Sequence, residues 1–459
     1  MKLNAFTERY MAKKRRGRAR VLLAIPSRAT SAPRLTTCPP LFTFGTTTPS
    51  QQLDTPVTAL EFPQNVIDNV IDHLHDCPAD LCVCSLVARN WTARSQSYLF
   101  REVYWTEDRV SGWCKKIRPH PDGPARNTTR LAVFSMLKLD NLAPMKDHFT
   151  SFRNIASLML QDLEFDDPIF HPKNVLIYFG HLRPRLTTLE LISANGSCGR
   201  LLAFASFFPH LEHLMIAFPG GLVPPDPTID LEYQPLRGTL FLRGHLNRHT
   251  DFIKLLSRVP VPQFHTVRLE HWGRLDTEDL NCLLATCSKS LEILTVSACK
   301  GEHPTPFRSC SETGCAEEQF SRLRPNFSLC SRLTELRVVL PHIGSHPPNL
   351  MNTLLTSPIV LSRITFVIHG KIEPQDVVIS AQDWTETDTT IARFSTKLFC
   401  RKGGKRLLLT FRVVGVLDFT PLVPCSIGKG VEVLVEKDDD QELMLPLCVS
   451  CETEIYCYM

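Results

Sequence analysis

The stretch FPQNVIDNVIDHLHDCPADLCVCSLVARNW, residues Phe62 to Trp91, decides the fold of the first ordered part of the chain. Pro63 suits the first position of a helix, where its missing N–H costs nothing. The apolar residues that follow recur on one side of three helical turns, at Val66, Ile67, Val70, Ile71 and Leu74. This spacing predicts an amphipathic helix, because residues three and four apart share a helix face.

A second helix is expected directly after the sequence HDCPAD. Pro78 disfavours helical geometry at Cys77, and Asp80 complements the N-terminal dipole of the next helix. That helix, LCVCSLVARNW, is apolar nearly all round, and a third, TARSQSYLFREVYW, adds further apolar residues. Three short helices cannot bury all these side chains against one another, so the surplus apolar surface indicates a partner.

The pattern FP-x2-V-I-x2-V-I-x2-L, a proline loop, and D-L-x-x-C-S-L-V-x-R-x-W together resemble the F-box. This short three-helix module docks onto a Skp-type adaptor in cullin-based ubiquitin ligases, and ARSQSYLFREVYW is similar to F-box proteins of mushroom-forming fungi. Phe62 replaces the usual Leu and Ala88 a common Cys, both with apolar character kept. The resemblance implies adaptor contacts at Pro63, Val66, Ile67, Val70, Ile71, Leu74, Leu81, Ser85, Leu86, Val87 and Trp91. An unrelated helical hairpin is the alternative.

A second regularity begins beyond Trp105. The pattern apolar-x-x-apolar-x-apolar recurs at separations of mostly 25 to 31 residues, with one interval of 42. Its copies are Ile155/Leu158/Leu160, Leu186/Leu189/Leu191, Leu211/Leu214/Ile216, a slipped copy at Leu240/Leu242, Phe264/Val267/Leu269, Leu291/Leu294/Val296, Leu333/Leu336/Val338 and Leu361/Ile364/Phe366. The alternation within each copy predicts a strand, and segments such as residues 200–209 and 276–290 between copies predict helices.

This period resembles that of a leucine-rich repeat, with one strand and one helix in each unit. The Asn or Cys that the family places after the strand is matched at Cys299, while Asn195 lies one position late. An α/β domain with a parallel sheet shows the same alternation and stays open as an alternative.

In such an array, residues between the buried positions of each strand point to the opposite face. They are the candidate substrate-binding residues: Gln161, Glu190, Ile192, Arg268, Glu270, Thr295, Ser297, Arg337 and Val339.

The composition excludes several classes of protein. Residues 1–55 hold ten Lys or Arg against two acids, although the whole chain has a net charge of only +4, so a globally basic nucleic-acid binder is not indicated. Seventeen cysteines, scattered and odd in number, indicate reduced thiols in the cytosol or nucleus. No apolar run reaches the length of a membrane span. Cofactors are not expected, because the sequence has no Walker loop, no G-x-G-x-x-G and no G-x-S-x-G.

Metal sites are weakly indicated. Cys448-x-x-Cys451 and Cys310-x4-Cys315 would each supply half of a zinc site, but buried or loop thiols fit the irregular spacing better. His245 and His249 stand at i, i+4 without the Glu of a hydrolytic metal site.

The expected fold class is therefore α/β: a short all-α F-box of three helices followed by a leucine-rich-repeat-like α/β solenoid. The expected boundaries are a disordered basic and Pro/Ser/Thr-rich tail at 1–57, the F-box at 58–105, a linker or capping region at 106–150, repeats at 151–371 with an inserted loop at 300–330, and an irregular cap at 372–459. The basic cluster Lys13 to Arg20 fits a nuclear address, a mitochondrial transit peptide or a solvated tail.

The resemblance implies a non-catalytic subunit that recognises substrates for a Skp-cullin-F-box-type ubiquitin ligase. Its expected partners are a Skp-type adaptor, through it a cullin, and a protein substrate, with no nucleic acid and no membrane. A cytoplasmic or nuclear location follows. The alternative function is an interaction scaffold that binds the adaptor without promoting ubiquitination.

Overall fold

The fold was obtained as a computed structural model. It describes residues 62–437 except 118, 121–122, 135–141, 143–144, 218–220, 225–233, 245–248, 259–261, 271–276, 298–323, 341–346, 360, 372–375, 378–379, 382–383, 402–405 and 415–418. The predicted tail at 1–57, both cysteine pairs, His245, Cys299 and most of the inserted loop lie outside these residues. The described residues belong to one compact unit that begins at Phe62.

Three helices come first: α1 (Gln64–His73), α2 (Pro78–Val87) and α3 (Arg89–Leu99). The predicted turn is confirmed, because Cys77 is non-helical, Pro78 begins α2 and Asp80 lies in its first turn. Pro63 is the residue before α1 rather than its first residue.

Strands and helices then alternate along the chain: β1 (Glu102–Trp105), α4 (Glu107–Lys116), β2 (Arg130–Phe134), α5 (Lys146–Thr150), β3 (Ser157–Gln161), α6 (Pro172–Phe179), β4 (Thr188–Ile192), β5 (Asn195–Ser197), α7 (Cys198–Ser206), β6 (His213–Ala217), β7 (Gly221–Val223), β8 (Arg237–Arg243), α8 (Thr250–Leu256), β9 (Gln263–Glu270), α9 (Thr277–Thr286), β10 (Ile293–Ser297), β11 (Glu335–Leu340), α10 (Pro348–Thr356), β12 (Arg363–Lys371), α11 (Thr385–Arg401), β13 (Leu408–Val414), α12 (Pro424–Gly428) and β14 (Glu432–Lys437). Short 3-10 helices lie at Pro124–Asn127, Pro168–Phe170, Phe327–Leu329 and Thr420–Leu422.

Twelve strands form one sheet in the order β1-β2-β3-β4-β6-β8-β9-β10-β11-β12-β13-β14, while β5 pairs with β7. Every neighbouring pair in the large sheet is parallel. The strands of the large sheet therefore lie side by side in the order in which they occur in the sequence. This order is expected when each connection brings the chain back to start a new parallel strand beside the previous one.

The same backbone hydrogen bonds recur from strand to strand. The Thr129 carbonyl accepts from the N–H groups of Ala156 and Ser157 at 2.8 and 3.0 Å, and the Ala156 carbonyl accepts in the same way from Thr187 and Thr188 at 2.9 and 3.0 Å. A shared entry geometry thus sets the register of successive strands, although the residue types at these positions differ.

The helices cover one face of the sheet. One apolar core runs from Val103 to Val431 and combines alternate strand residues with the inner faces of the helices. All eight strands predicted from the apolar pattern are observed, and the predicted helices within 200–209 and 276–290 correspond to α7 and α9. The α/β class with a large parallel sheet is confirmed.

The third helix is shorter than predicted. It ends at Leu99, and residues 102–105 form β1, because Val103 and Trp105 enter the sheet's core and pair with β2. The region 106–150, expected to be a linker or capping region, supplies β2 as the second strand of the sheet. Among the described residues, no helix combines the length and apolar character needed to cross a membrane.

Candidate functional site

The three N-terminal helices form a small unit with its own interior. Ile67, Ile71 and Leu81 are at most 1% exposed and pack together, with Leu74, Trp91, Tyr98 and Leu99 partly buried around them. This cluster is separate from the core of the sheet. The i, i+4 spacing of Ile67 and Ile71 therefore marks the inner face of α1.

Polar contacts hold α1 against α3. The Arg94 guanidinium donates two hydrogen bonds to the Asp72 carboxylate, at 2.7 and 2.8 Å, and the Tyr98 hydroxyl donates to the same carboxylate at 2.9 Å. The hydrogen bond from Arg94 is the main reason why the pKa of Asp72 lies below its ordinary value. A planar two-point contact of this kind fixes orientation as well as distance.

Apolar side chains also lie on the outside of the unit, in two rows. The first row consists of Phe62, two residues before α1, and Val66 and Val70 on α1, at four-residue spacing, and these side chains are 62, 41 and 41% exposed. On α2 the second row consists of Val83, Leu86 and Val87, of which Leu86 is 85% exposed. Single exposed apolar residues are ordinary, but six that lie on or directly before two short helices form an unusually apolar surface.

The predicted adaptor-binding residues divide into three groups by burial. Ile67, Ile71 and Leu81 contribute to the interior rather than to a surface, because the three helices close over them. Leu74, Ser85 and Trp91 are intermediate. The exposed members are Pro63, Val66, Val70, Leu86 and Val87.

The sheet presents a second surface on the face opposite the helices, here called the open face. All nine candidate substrate-binding residues occupy strand positions on this face, because they alternate with residues that enter the core. The pairing places Glu190 beside Met159 and Met215 on the adjacent strands.

One half of the open face is apolar. Side chains from β2, β3, β4, β6 and β8 form a separate cluster there: Ala132, Met159, Ile192, Met215, Ala217 and Phe241, with Tyr104 and Phe134 packed against it. Glu190 lies within this half and is 4% exposed. Its Oε1 lies 3.5 Å from Nη2 of Arg130, and its Oε2 has no hydrogen-bond partner in the described part of the chain. Burial is the main cause of the raised pKa of Glu190, which Arg130 opposes.

The other half of the open face is polar and rich in arginine. Arg268 lies over the Phe241 ring, with 4.8 Å between its Cζ and the ring centroid. Arg337 donates to Glu335 at 2.7 and 3.3 Å, and Nε of Arg243 lies 3.7 Å from Glu270. Ion pairs and a cation–π contact thus organise the guanidinium groups across β8, β9 and β11.

Burial and nearby charges shift the pKa values of Arg268 and Glu335. Burial is the main cause of the lowered pKa of Arg268, and the nearby charges of Arg243 and Arg337 lower it further against the effect of Glu270. Burial raises the pKa of Glu335, but the hydrogen bonds and charge of Arg337 outweigh it, so that pKa is lowered overall.

Sequence reasoning did not single out several residues of these surfaces: Val83, Met159, Met215, Phe241 and Arg243. The alternation rule that identified Glu190 applies equally to Met159 and Met215, so this signal was present. In contrast, the proximity of Arg243, Arg268 and Arg337 follows only from the register of three strands that lie far apart in sequence.

Metal-binding and cysteine chemistry can be judged only for the described residues. Among them, no group of three or more His, Cys, Asp or Glu is arranged to hold a metal ion. His249 is fully buried, with its Nε2 3.2 Å from the Arg243 carbonyl oxygen. The cysteines in the described ranges are free thiols, and burial raises the pKa of Cys287 and of Cys330 to about 12.

No family model and no curated protein matches the sequence.

Proposed function

We propose that the chain is a substrate-recognition subunit of a Skp-cullin-F-box-type ubiquitin ligase. Helices α1 to α3 would then be the F-box, and the sheet with its helices would be a leucine-rich-repeat-like solenoid that binds a protein target. The observation that carries the proposal is the set of exposed apolar residues on α1 and α2 of a folded three-helix unit, led by Leu86 at 85% exposure.

Two separate surfaces support a bridging role. The outer rows on α1 and α2 offer apolar side chains to an adaptor, and burial of one such side chain contributes about 1.5–3 kcal/mol. The open face of the sheet offers a different mixture of apolar and charged groups. A protein that holds a target near a ubiquitin-conjugating enzyme accelerates transfer through proximity and orientation, without bond chemistry of its own.

Binding to purified Skp-type adaptor, followed by co-purification with cullin, tests the proposal. The double variant Val83→Asp/Leu86→Asp places two charges on the outer row of α2, so we expect adaptor affinity to fall by about 100-fold or more. Leu176→Asp is the matched control, because Leu176 is 59% exposed on α6 and lies in the core-covering helices rather than in the three-helix unit.

A wild-type chain that binds no adaptor would contradict the F-box assignment. So would equal binding by the double variant and the wild type. Capture of the adaptor without cullin would instead favour an interaction scaffold that does not promote ubiquitination.

A further inference from the structure

The middle positions of the open face form a row that crosses the strands. Strand pairing sets its order from β3 to β11 as Met159, Glu190, Met215, Phe241, Arg268, Thr295 and Arg337. The row thus runs from a carboxylate through two apolar side chains to two guanidinium groups. A ligand that lies along the row meets these chemistries in this order.

Glu190 is a buried carboxylate on this row whose hydrogen bonding is incomplete. Its carboxylate is 4% exposed, its Oε2 has no partner among the described residues, and its contact with Arg130 is a long one of 3.5 Å. A buried carboxylate with an unfilled acceptor is costly, so a donor or a cation that reaches it gains free energy. Methionine side chains, with three rotatable bonds, flank it and are able to move aside.

The guanidinium end of the row favours an anion, whereas Glu190 favours a donor or a cation. Arg268 is held over Phe241, and Arg243 and Arg337 lie close enough to lower its pKa. Arg243 and Arg337 pair with Glu270 and Glu335, so a carboxylate from a ligand would be bound at this end by Arg268.

The spacing along the row sets the length of the ligand. Glu190 on β4 and Arg268 on β9 are three strand steps apart, which is roughly 14 Å at the usual spacing of about 4.8 Å. An extended chain advances about 3.3 Å per residue, so about four residues cover this distance.

We propose that the open face binds an extended segment of a protein target in which a Lys or Arg and an Asp or Glu stand about four residues apart, with apolar residues between them. The basic side chain meets Glu190, the apolar residues meet Met215 and Phe241, and the acidic side chain meets Arg268. This inference rests on the proposed function of the sheet in binding a protein target. A nucleic acid fits the row less well, because the buried carboxylate and the apolar half do not match a phosphate backbone.

Selection from a phage-displayed library of random 12-residue peptides on the purified full-length chain tests the proposal. We expect the enriched peptides to share a basic and an acidic residue about four positions apart. The best of them is then synthesised with a fluorescent label, and its affinity is measured by fluorescence polarisation. Its counterpart with Lys or Arg replaced by Gln should bind at least tenfold more weakly.

Two variants that remove a charge identify the contacts. Glu190→Gln should reduce the affinity for the labelled peptide at least tenfold and remove the advantage of its basic residue, while Arg268→Gln should remove the advantage of its acidic residue. Arg412→Gln is the matched control, since Arg412 lies on the same face at β13 and pairs with Glu436 at 2.7 Å. Circular dichroism of each variant confirms that it is folded.

The proposal is overturned if enriched peptides lack this charge spacing, if no peptide is enriched, or if Glu190→Gln and Arg412→Gln weaken binding equally. These outcomes differ from failure of the proposed function, because adaptor capture is measured on the same preparations. Enrichment of peptides with this charge spacing, but no binding of the adaptor, would contradict the ligase proposal alone. Binding of the adaptor without enrichment of such peptides would contradict this inference alone.

Discussion

Arg130 on β2 reaches across β3 to the carboxylate of Glu190 on β4, with 3.5 Å between Nη2 and Oε1. The Arg130 side chain is 19% exposed and that of Glu190 5%, so the pair is largely shielded from water. Because Arg130 is the group that opposes the raised pKa of Glu190, it stabilises the ionised form of a carboxylate in an apolar cluster.

Removal of this cation should destabilise the protein most at high pH. Burial raises the folded-state pKa of Glu190 above its ordinary value of 4.5, so the folded protein holds a proton on Glu190 more tightly than the unfolded chain does. The stability that this proton contributes is fully present below pH 4.5 and is lost as pH rises through the folded-state pKa. Arg130→Gln raises that pKa further, and we expect a loss of about 2 kcal/mol at pH 8 and much less at pH 4.5. Urea unfolding at both pH values measures it, and Glu190→Gln should remove the difference.

Substitutions in the three-helix unit should separate its interior from its surface. Ile71 is fully buried, so Ile71→Asp should unfold the unit, with a cost above about 4 kcal/mol. Leu86 is 85% exposed, so Leu86→Asp should change stability by less than about 0.5 kcal/mol. Hydrogen exchange of peptides from residues 62–99 distinguishes the two, and equal protection in both variants would contradict this division.

His249 should make the fold sensitive to acid. Burial lowers its pKa from 6.5 to about 4, so between these pH values the unfolded chain binds a proton that the folded chain does not. Stability therefore falls as pH drops from 6.5 to 4, by up to about 3 kcal/mol. His249→Gln should flatten this decline in a series of urea titrations, whereas the same change at the exposed His213 should leave it unaltered.

Gly238 should not tolerate a side chain. Its φ is +89°, and an added Cβ would overlap the carbonyl oxygen of Glu212 on the adjacent connection, where the register between β8 and β9 also shifts. Gly238→Ala should therefore cost about 3 kcal/mol. Gly428→Ala is the control, because nothing lies within 4 Å of its Cβ, and it should be neutral or slightly stabilising. Thermal unfolding of both variants gives the comparison.

Asp388 should act as the cap of a helix to which it does not belong. Its carboxylate, in a residue that is 1% exposed, accepts from the N–H groups of Cys425 and Ser426 at 2.7 and 2.8 Å, at the start of α12. Asp388→Ala removes the acceptor of both N–H groups, of which that of Ser426 is buried, and we expect a loss of about 3 kcal/mol in urea unfolding. Glu386→Ala is the control. Glu386 is exposed on α11, the helix that contains Asp388, and its replacement should cost less than about 0.5 kcal/mol.

The apolar pattern predicted most of the sheet correctly. A strand whose residues alternate between a core and a second face shows a period of two, and each copy from Ile155 to Phe366 has this period and becomes a strand. The pattern failed at β1, because four residues directly after a helix are too few for the period to show. The candidate residues of the open face were recognisable by the same alternation.

The sequence by itself determined the helices at the start of the chain, the alternation of strands with helices, and the division of each strand into an inner and an outer set of residues. These features depend on local spacing and capping, which neighbouring residues specify. Only the tertiary structure decided that Ile67 and Ile71 are interior while Leu86 is exposed, and that Glu190 and Arg268 lie on one row. Burial and strand register arise from contacts between residues far apart in sequence, and no local period encodes them.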